Sequence, residues 1–407
     1  TQAFAYITNQ NSGNVSVIDT LTNVIVGTIF TGTNPNGIAV NATGTRAYVG
    51  NGGSNTVSAI DTATGNVLAN ISVGSPFGVA LNPSGTRAYV ANTITGAMVV
   101  INTATNTVVT SIADAALRGL AVNPAGTRVY ASNFSNVKVI DTASNTILAT
   151  VQITAAPPNT PTPQGMAVHP AGTQVYVANQ TNNTVEVIDT ATNAVTATIA
   201  VGASPVGVGF DPSGTRAYVT NSSGNSVSVI DTGTRTVVAT VPVGTRPQGV
   251  SVTPDGLRAY VANRNSHDVS VIDTATNTVI ATVAAGTNPT AYGHFTGPVP
   301  VVTQNTLTVS RSGSGSGVVS SVPAGIDCGT ICAAGFAASA TVTLSATADA
   351  GSVFSGWAGA GCGGTAACVV TMDAAQSVTA TITALDTVNP TAVLAASPST
   401  VLVGMPV

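Results

Sequence analysis

The sequence predicts an all-β protein: a seven-bladed β-propeller, a small C-terminal β module, and a terminal strand or incomplete immunoglobulin-like segment. Three observations predict it. Seven tyrosines (Tyr6, Tyr48, Tyr89, Tyr130, Tyr176, Tyr218 and Tyr260) head the segments YITN, YVGN, YVAN, YASN, YVAN, YVTN and YVAN, at spacings of 42, 41, 41, 46, 42 and 42 residues. Between them, apolar residues alternate with Thr, Ser or Asn, which is the period of a strand. Near residue 295 the repeat stops, and all 4 cysteines and the single tryptophan lie beyond it. Four short strands per unit of this length make a propeller blade, and seven units make a ring.

Each unit runs from the tyrosine strand into a V-x-V-I-D-T strand ending at Asp19, Asp61, Asn102, Asp141, Asp189, Asp231 or Asp273. A T-N-x-V-x-A-T run follows, then G-x-x-P-x-G and a strand ending in N-P-x-G-T-R. The first unit starts at its second strand, Ala5 to Thr8, and one spare first-strand segment, 286–295, is left after the seventh. That segment is expected to complete blade one from the inside, removing a free sheet edge. Hairpin symmetry sets Arg46 opposite Asp61, Arg128 opposite Asp141, Arg216 opposite Asp231 and Arg258 opposite Asp273; Arg87 faces Asn102 and Gln174 faces Asp189. Opposed unlike charges on neighbouring strands contribute roughly 0.2–1 kcal/mol, a structural role that suits a residue repeated in blade after blade.

These repeats resemble the bacterial and archaeal YVTN family of propeller repeats, over residues 1 to about 295. The resemblance implies an exported or surface propeller. It implies no single chemistry, because that family hosts none.

Composition narrows the classes further. Charged residues are 6% of the chain and the net charge is −4, while mean hydropathy is +0.38. Such a chain folds rather than staying disordered. The 11 cations are scattered, so no basic stripe for nucleic acid exists. No run of 18 apolar residues spans a membrane. Low charge weakens the repulsion that keeps proteins apart, which favours a homo-oligomer, a polymer or attachment to cell-surface components. The opening Thr1-Gln2-Ala3-Phe4 reads as a mature N-terminus after signal-peptide removal. Clustered cysteines in a chain with 1 lysine fit an oxidising, extracellular location.

A propeller's variable chemistry lies at one channel mouth. The x residue of each P-x-G loop is expected to point there: Asn36, Phe77, Arg118, Gln164, Val206, Gln248 and Thr290. The hairpin loops add Phe134, Arg264 and His267, and Arg246 precedes Pro247. Asn36, Phe77, Arg118, Gln164, Arg246, Gln248 and His267 are the candidate ligand-binding residues. The repeat departs from its pattern at 113–119 and in a Pro-rich insertion at 155–163, both feeding this end. No G-x-S-x-G, H-E-x-x-H, P-loop or dinucleotide fingerprint occurs. The three histidines lie in different blades: His169 takes the turn position of N-P-x-G, and His294 lies in the closing segment. No catalytic residue, metal site or cofactor is therefore expected. The expectation is an exported, non-enzymatic surface or matrix protein, a propeller head on a β stalk able to assemble into a filament or layer. The alternatives are a propeller binding a small molecule, peptide or glycan, or an enzyme such as a lactonase or quinone-dependent dehydrogenase.

After a propeller at 1–297 and a linker at 298–306, residues 307–384 carry G-x-V-x-S-x-P-x-G-I-x-C, F-x-G-W-x-G-x-G-C and V-T-M-x-x-A-x-x-V-T-A. This order resembles the divergent internalin B-repeat modules of bacterial surface proteins, implying a stalk or spacer. The cysteine spacings fit two local disulfides, Cys328 with Cys332 and Cys362 with Cys368. Zinc is the rival reading, set against by the lack of a C-x2-C spacing and of a nearby histidine. Residues 385–407 form a linker and a strand pattern at 391–403, read as the start of a further domain or as a donor strand for a neighbouring copy.

Overall fold

Alternating apolar and small polar residues turn each repeat into a four-stranded antiparallel sheet. Seven such sheets occur in the computed structural model, which describes residues 2–114, 118–153, 162–299, 304–337 and 340–385. No helix occurs among the described residues. The chain divides into two compact units, Thr1–Val301 and Val302–Val407. The middle of the Pro-rich insertion, the centre of 113–119 and the strand pattern at 391–403 lie outside the described residues.

In the first unit, the inner strands of blades two to seven are Pro35–Val40, Pro76–Leu81, Leu120–Val122, Pro163–Val168, Pro205–Phe210 and Pro247–Val252. Blade four's inner strand has only 3 residues, because its P-x-G lacks the proline. The seven tyrosines are each at most 2% exposed, filling the gaps between blades. Two reach the next blade's turn: the Tyr48 hydroxyl donates to Asn106 Oδ1 at 3.0 Å, and that of Tyr260 to Asn23 Oδ1 at 2.7 Å. The seven outer strands carry no charged side chain. Each outer strand is instead bulged against its neighbour, a twist that blunts an exposed edge without charge.

The Arg–Asp registers are as read from the sequence, and three of the four form ion pairs: Arg46 with Asp61, Arg128 with Asp141 at 2.5 Å, and Arg216 with Asp231 at 3.7 Å. The fourth does not. Arg258 faces Asp273 in register, yet its guanidinium donates to the Thr20 carbonyl and to Asn23 Oδ1 across the seam with blade one. The aspartates have a commoner duty. Oδ1 of Asp61, Asp141, Asp189, Asp231 and Asp273 accepts the amide and hydroxyl of the Thr or Ser three residues on, forming the turn that follows. Asp189 therefore persists although Gln174 faces it.

Those hydrogen bonds, the backbone amide first, hold the carboxyls of Asp141, Asp189, Asp231 and Asp273 below the ordinary range. A carboxyl depressed in the folded state adds stability above its unfolded value, and that stability is lost as pH falls through the folded values. Calorimetry is expected to show a Tm nearly constant from pH 7 to about pH 5 and falling steeply below about pH 4. A Tm unchanged down to about pH 2.5 would contradict this role for the repeated aspartates.

In the second unit, a five-stranded sheet runs Ala333–Ala337, Gln304–Ser312, Gln376–Ala384, Ser352–Gly359, Cys362–Gly364, with its second and third strands parallel. A three-stranded sheet of Gly317–Val322, Thr341–Ala348 and Cys368–Thr371 accompanies it, and the core includes Leu307, Phe336, Leu344 and Trp357. The first strand begins at Gln304, inside the stretch expected to be linker, because 304–306 pair with 335–337. Both local disulfides form, Cys328–Cys332 and Cys362–Cys368.

Candidate functional site

The x-residue end of the propeller is built on six glycines. Gly37, Gly78, Gly119, Gly165, Gly207 and Gly249 each press against a carbonyl of the next inner strand; a methyl on Gly78 would lie 2.1 Å from the Arg118 oxygen, and one on Gly249 1.8 Å from that of Ala291. The seventh position of this ring is Ala291, not glycine, and there the chain departs.

Between Asn9 and Ala5, the closing segment spends eight residues, Pro289 to Thr296, where blade two spends six, Pro35 to Val40. The surplus bulges inward, with positive φ at Ala291 (45°) and Gly293 (108°). Pairing with blade one resumes at Thr296–Pro298, and the Phe295 carbonyl accepts the Tyr6 amide at 2.9 Å. The carbonyls of Tyr292 and His294 meanwhile accept the Ile38 and Val40 amides of blade two at 2.8 and 2.9 Å.

The bulge delivers Tyr292 to the channel. Its ring packs 4.9 Å from that of Phe77, and its hydroxyl donates to Gln248 Oε1, so one side chain links blade three to blade seven. Arg118 stands over the Phe77 ring, 5.4 Å from its centroid. Burial pushes the Tyr292 phenol up to about 12, against the opposing pull of Arg118, Arg264 and Arg246. Tyr292 bounds a cavity of 590 Å³ that follows the inner strands from Phe77, Arg118 and Gln164 to the N-P-x-G turns around Pro83, Pro170 and Pro212. His294 keeps its surface toward this cavity while the inner strands surround it, and that desolvation lowers its pKa. Ser251 Oγ is 3.5 Å from its Nδ1.

The sequence-derived candidates fall into two groups. Phe77, Arg118 and Gln164 line the cavity, and Arg246 is exposed at the loop before Pro247. Asn36 and Gln248 are buried supports: Gln10 donates to Asn36 at 3.1 Å, and Gln248 donates to Ser222 at 3.0 Å while holding Tyr292. Val206 and Thr290 are buried in the ring as well. His267 is a turn residue at φ 60°, its Nδ1 accepting the Asn288 amide at 3.1 Å, which fixes it outside the cavity. His169 bonds its own turn, Nδ1 accepting from Ala171 at 3.1 Å, with Nε2 on the Gly214 carbonyl at 3.0 Å. The residue missed from sequence is Tyr292, whereas His294, read as packed or facing the channel, does line the cavity. The signal for Tyr292 was a segment, T-A-Y-G-H-F, two residues too long and with alanine where six blades have glycine.

Seven radial four-stranded sheets around a cavity define a β-propeller with a channel-mouth pocket. No family model and no curated protein matches the chain. Solved structures do. Hydrazine synthase of Kuenenia stuttgartiensis is 25% identical with a TM-score of 0.61, over 66% of this chain and 92% of its own. A functionally unknown protein from Desulfotomaculum acetoxidans DSM 771 is 18% identical with a TM-score of 0.61, over 71% and 99%. The dihydro-heme d1 dehydrogenase NirN is 14% identical with a TM-score of 0.53, over 70% and 74%. The expectation of a non-enzyme is corrected by this comparison: two of these neighbours are enzymes. Two disulfides agree with an oxidising compartment, and no helix of the described residues is long and apolar enough to cross a membrane.

Proposed function

We propose that this chain is an exported propeller of the YVTN repeat type, carried on an internalin-like β module, that takes a small molecule at the channel mouth beside Tyr292. The observation that carries this reading is the cavity behind Phe77, Arg118 and Gln164, with an aromatic side chain supplied by a closing segment longer than the fold requires. Pockets with mostly apolar walls and few convergent polar groups are where ligands bind. Ligand-observed NMR of the full chain against a small-molecule library tests it: hits are expected to weaken about tenfold or more in Phe77→Ala. Hits indifferent to that substitution would move the site elsewhere.

A catalytic reading of the same channel is supported by the enzymes among the structural neighbours and by His294. The surrounding inner strands favour the neutral form of this imidazole, with Ser251 Oγ 3.5 Å from its Nδ1. His294→Gln is then expected to abolish turnover of any substrate found while leaving its binding intact; retained turnover would remove the reading. Self-association through 391–403 is a further proposal, tested by light scattering of the chain with and without 386–407. An unchanged mass would exclude it.

A further inference from the structure

We propose that this mouth selects an anion, a small molecule whose carboxylate or phosphate oxygens are received by Arg118, Arg246 and Arg264 while its apolar or planar body lies against Phe77 and Tyr292. The inference rests on the channel mouth being a ligand site, as proposed above.

Elsewhere in the propeller Arg46, Arg128 and Arg216 pair with aspartates and Arg258 holds the seam with blade one, while Arg87, which faces Asn102, forms no ion pair among the described residues. The three mouth arginines form no ion pair among the described residues. The acids of that end are committed to other groups: Asp114 to Lys138 at 3.1 Å, Glu186 to Thr184 and Thr198 at 2.9 and 2.5 Å, and Asp268 to Asn263 at 2.7 Å. Arg264 and Arg246 are tied together, the amide of the first donating to the carbonyl of the second at 3.0 Å. Arg264 Nη2 donates to Gln10 Oε1 at 2.7 Å, while its buried Nε has no partner. Arg118 lies over Phe77, whose other neighbour is Tyr292. All three act on the Tyr292 hydroxyl together.

Arg246 adds an independent sign. It occupies a left-handed backbone position, φ 58°, that Asn34, Ser204 and Asn288 fill in other blades. A long cationic side chain gains nothing there from the backbone, where asparagine is the easier choice. Strain of this kind collects at ligand sites. Guanidinium groups without carboxylates, one of them over the Phe77 ring, match anionic oxygens on a planar body.

Titration of the full chain with benzoate, phenyl phosphate and neutral benzyl alcohol tests the proposal. One or both anions are expected to bind about tenfold tighter than the alcohol, and their ratio shows whether carboxylate or phosphate is preferred. Binding should weaken severalfold as salt rises. Arg118→Gln and Arg264→Gln should each lose about fivefold or more, and Arg246→Asn a similar amount with Tm unchanged or raised. Benzyl alcohol binding as tightly as benzoate, and lost in Phe77→Ala, would overturn the anion preference and leave the mouth standing. No binding by any probe, or binding untouched by Phe77→Ala and by the arginine variants, would overturn both.

Discussion

Gly78→Ala is expected to destabilise the propeller by about 3 kcal/mol or more, or to prevent folding. The added methyl would meet the Arg118 carbonyl oxygen at 2.1 Å, and that oxygen is backbone. Relief would need blade three's inner strand to move away from blade four's, yet the same contact recurs around the ring at Gly37, Gly119, Gly165, Gly207 and Gly249. Interiors packed at this density cannot absorb such a displacement locally. Gly27→Ala is the control, because its methyl would find Val17 at an ordinary 3.8 Å. That change should cost less than about 1 kcal/mol, since alanine also restricts the unfolded chain. Equal stability of the two variants in urea unfolding would mean the glycines do not set the inner diameter.

Phe295→Ala is the second large effect, an expected loss of about 3–5 kcal/mol. The side chain is fully buried in a cluster holding Tyr6 and Ile7 of blade one, Val40 and Val49 of blade two and Tyr260 of blade seven. Truncation leaves a cavity where the two ends of the ring meet, and the cost includes that cavity as well as the lost burial. Since ring closure protects the first and last blades together, the variant should unfold at lower urea in one transition. A loss below about 1 kcal/mol would show that the closing segment is not what holds the seam.

Blades and registers could be read from the sequence because each is local. Tyr48 and Ala59 lie in one hairpin, and the alternation of the strands fixes which residues face one another. The turn aspartates were equally legible in position, though not in duty: the pairing of Arg258 with Thr20 joins residues 238 apart in sequence, beyond any hairpin symmetry. The site was legible only in part. Phe77, Arg118 and Gln164 follow from the P-x-G phase of the repeat. Tyr292 does not, because its place depends on two surplus residues whose direction is set by pairing with Ile38 and Val40 of blade two. The same long-range packing buries Asn36 and Gln248, which the phase alone pointed toward the channel mouth.

The channel mouth as a ligand site is tested most directly by a crystal structure of the full chain soaked with the tightest-binding of the three probes. The expected result is ligand density between Phe77, Arg118, Gln164 and Tyr292, its anionic oxygens within about 3 Å of guanidinium nitrogens. Density confined to the N-P-x-G turns, the outer strands or the disulfide-bonded unit, with the mouth empty, would contradict the account.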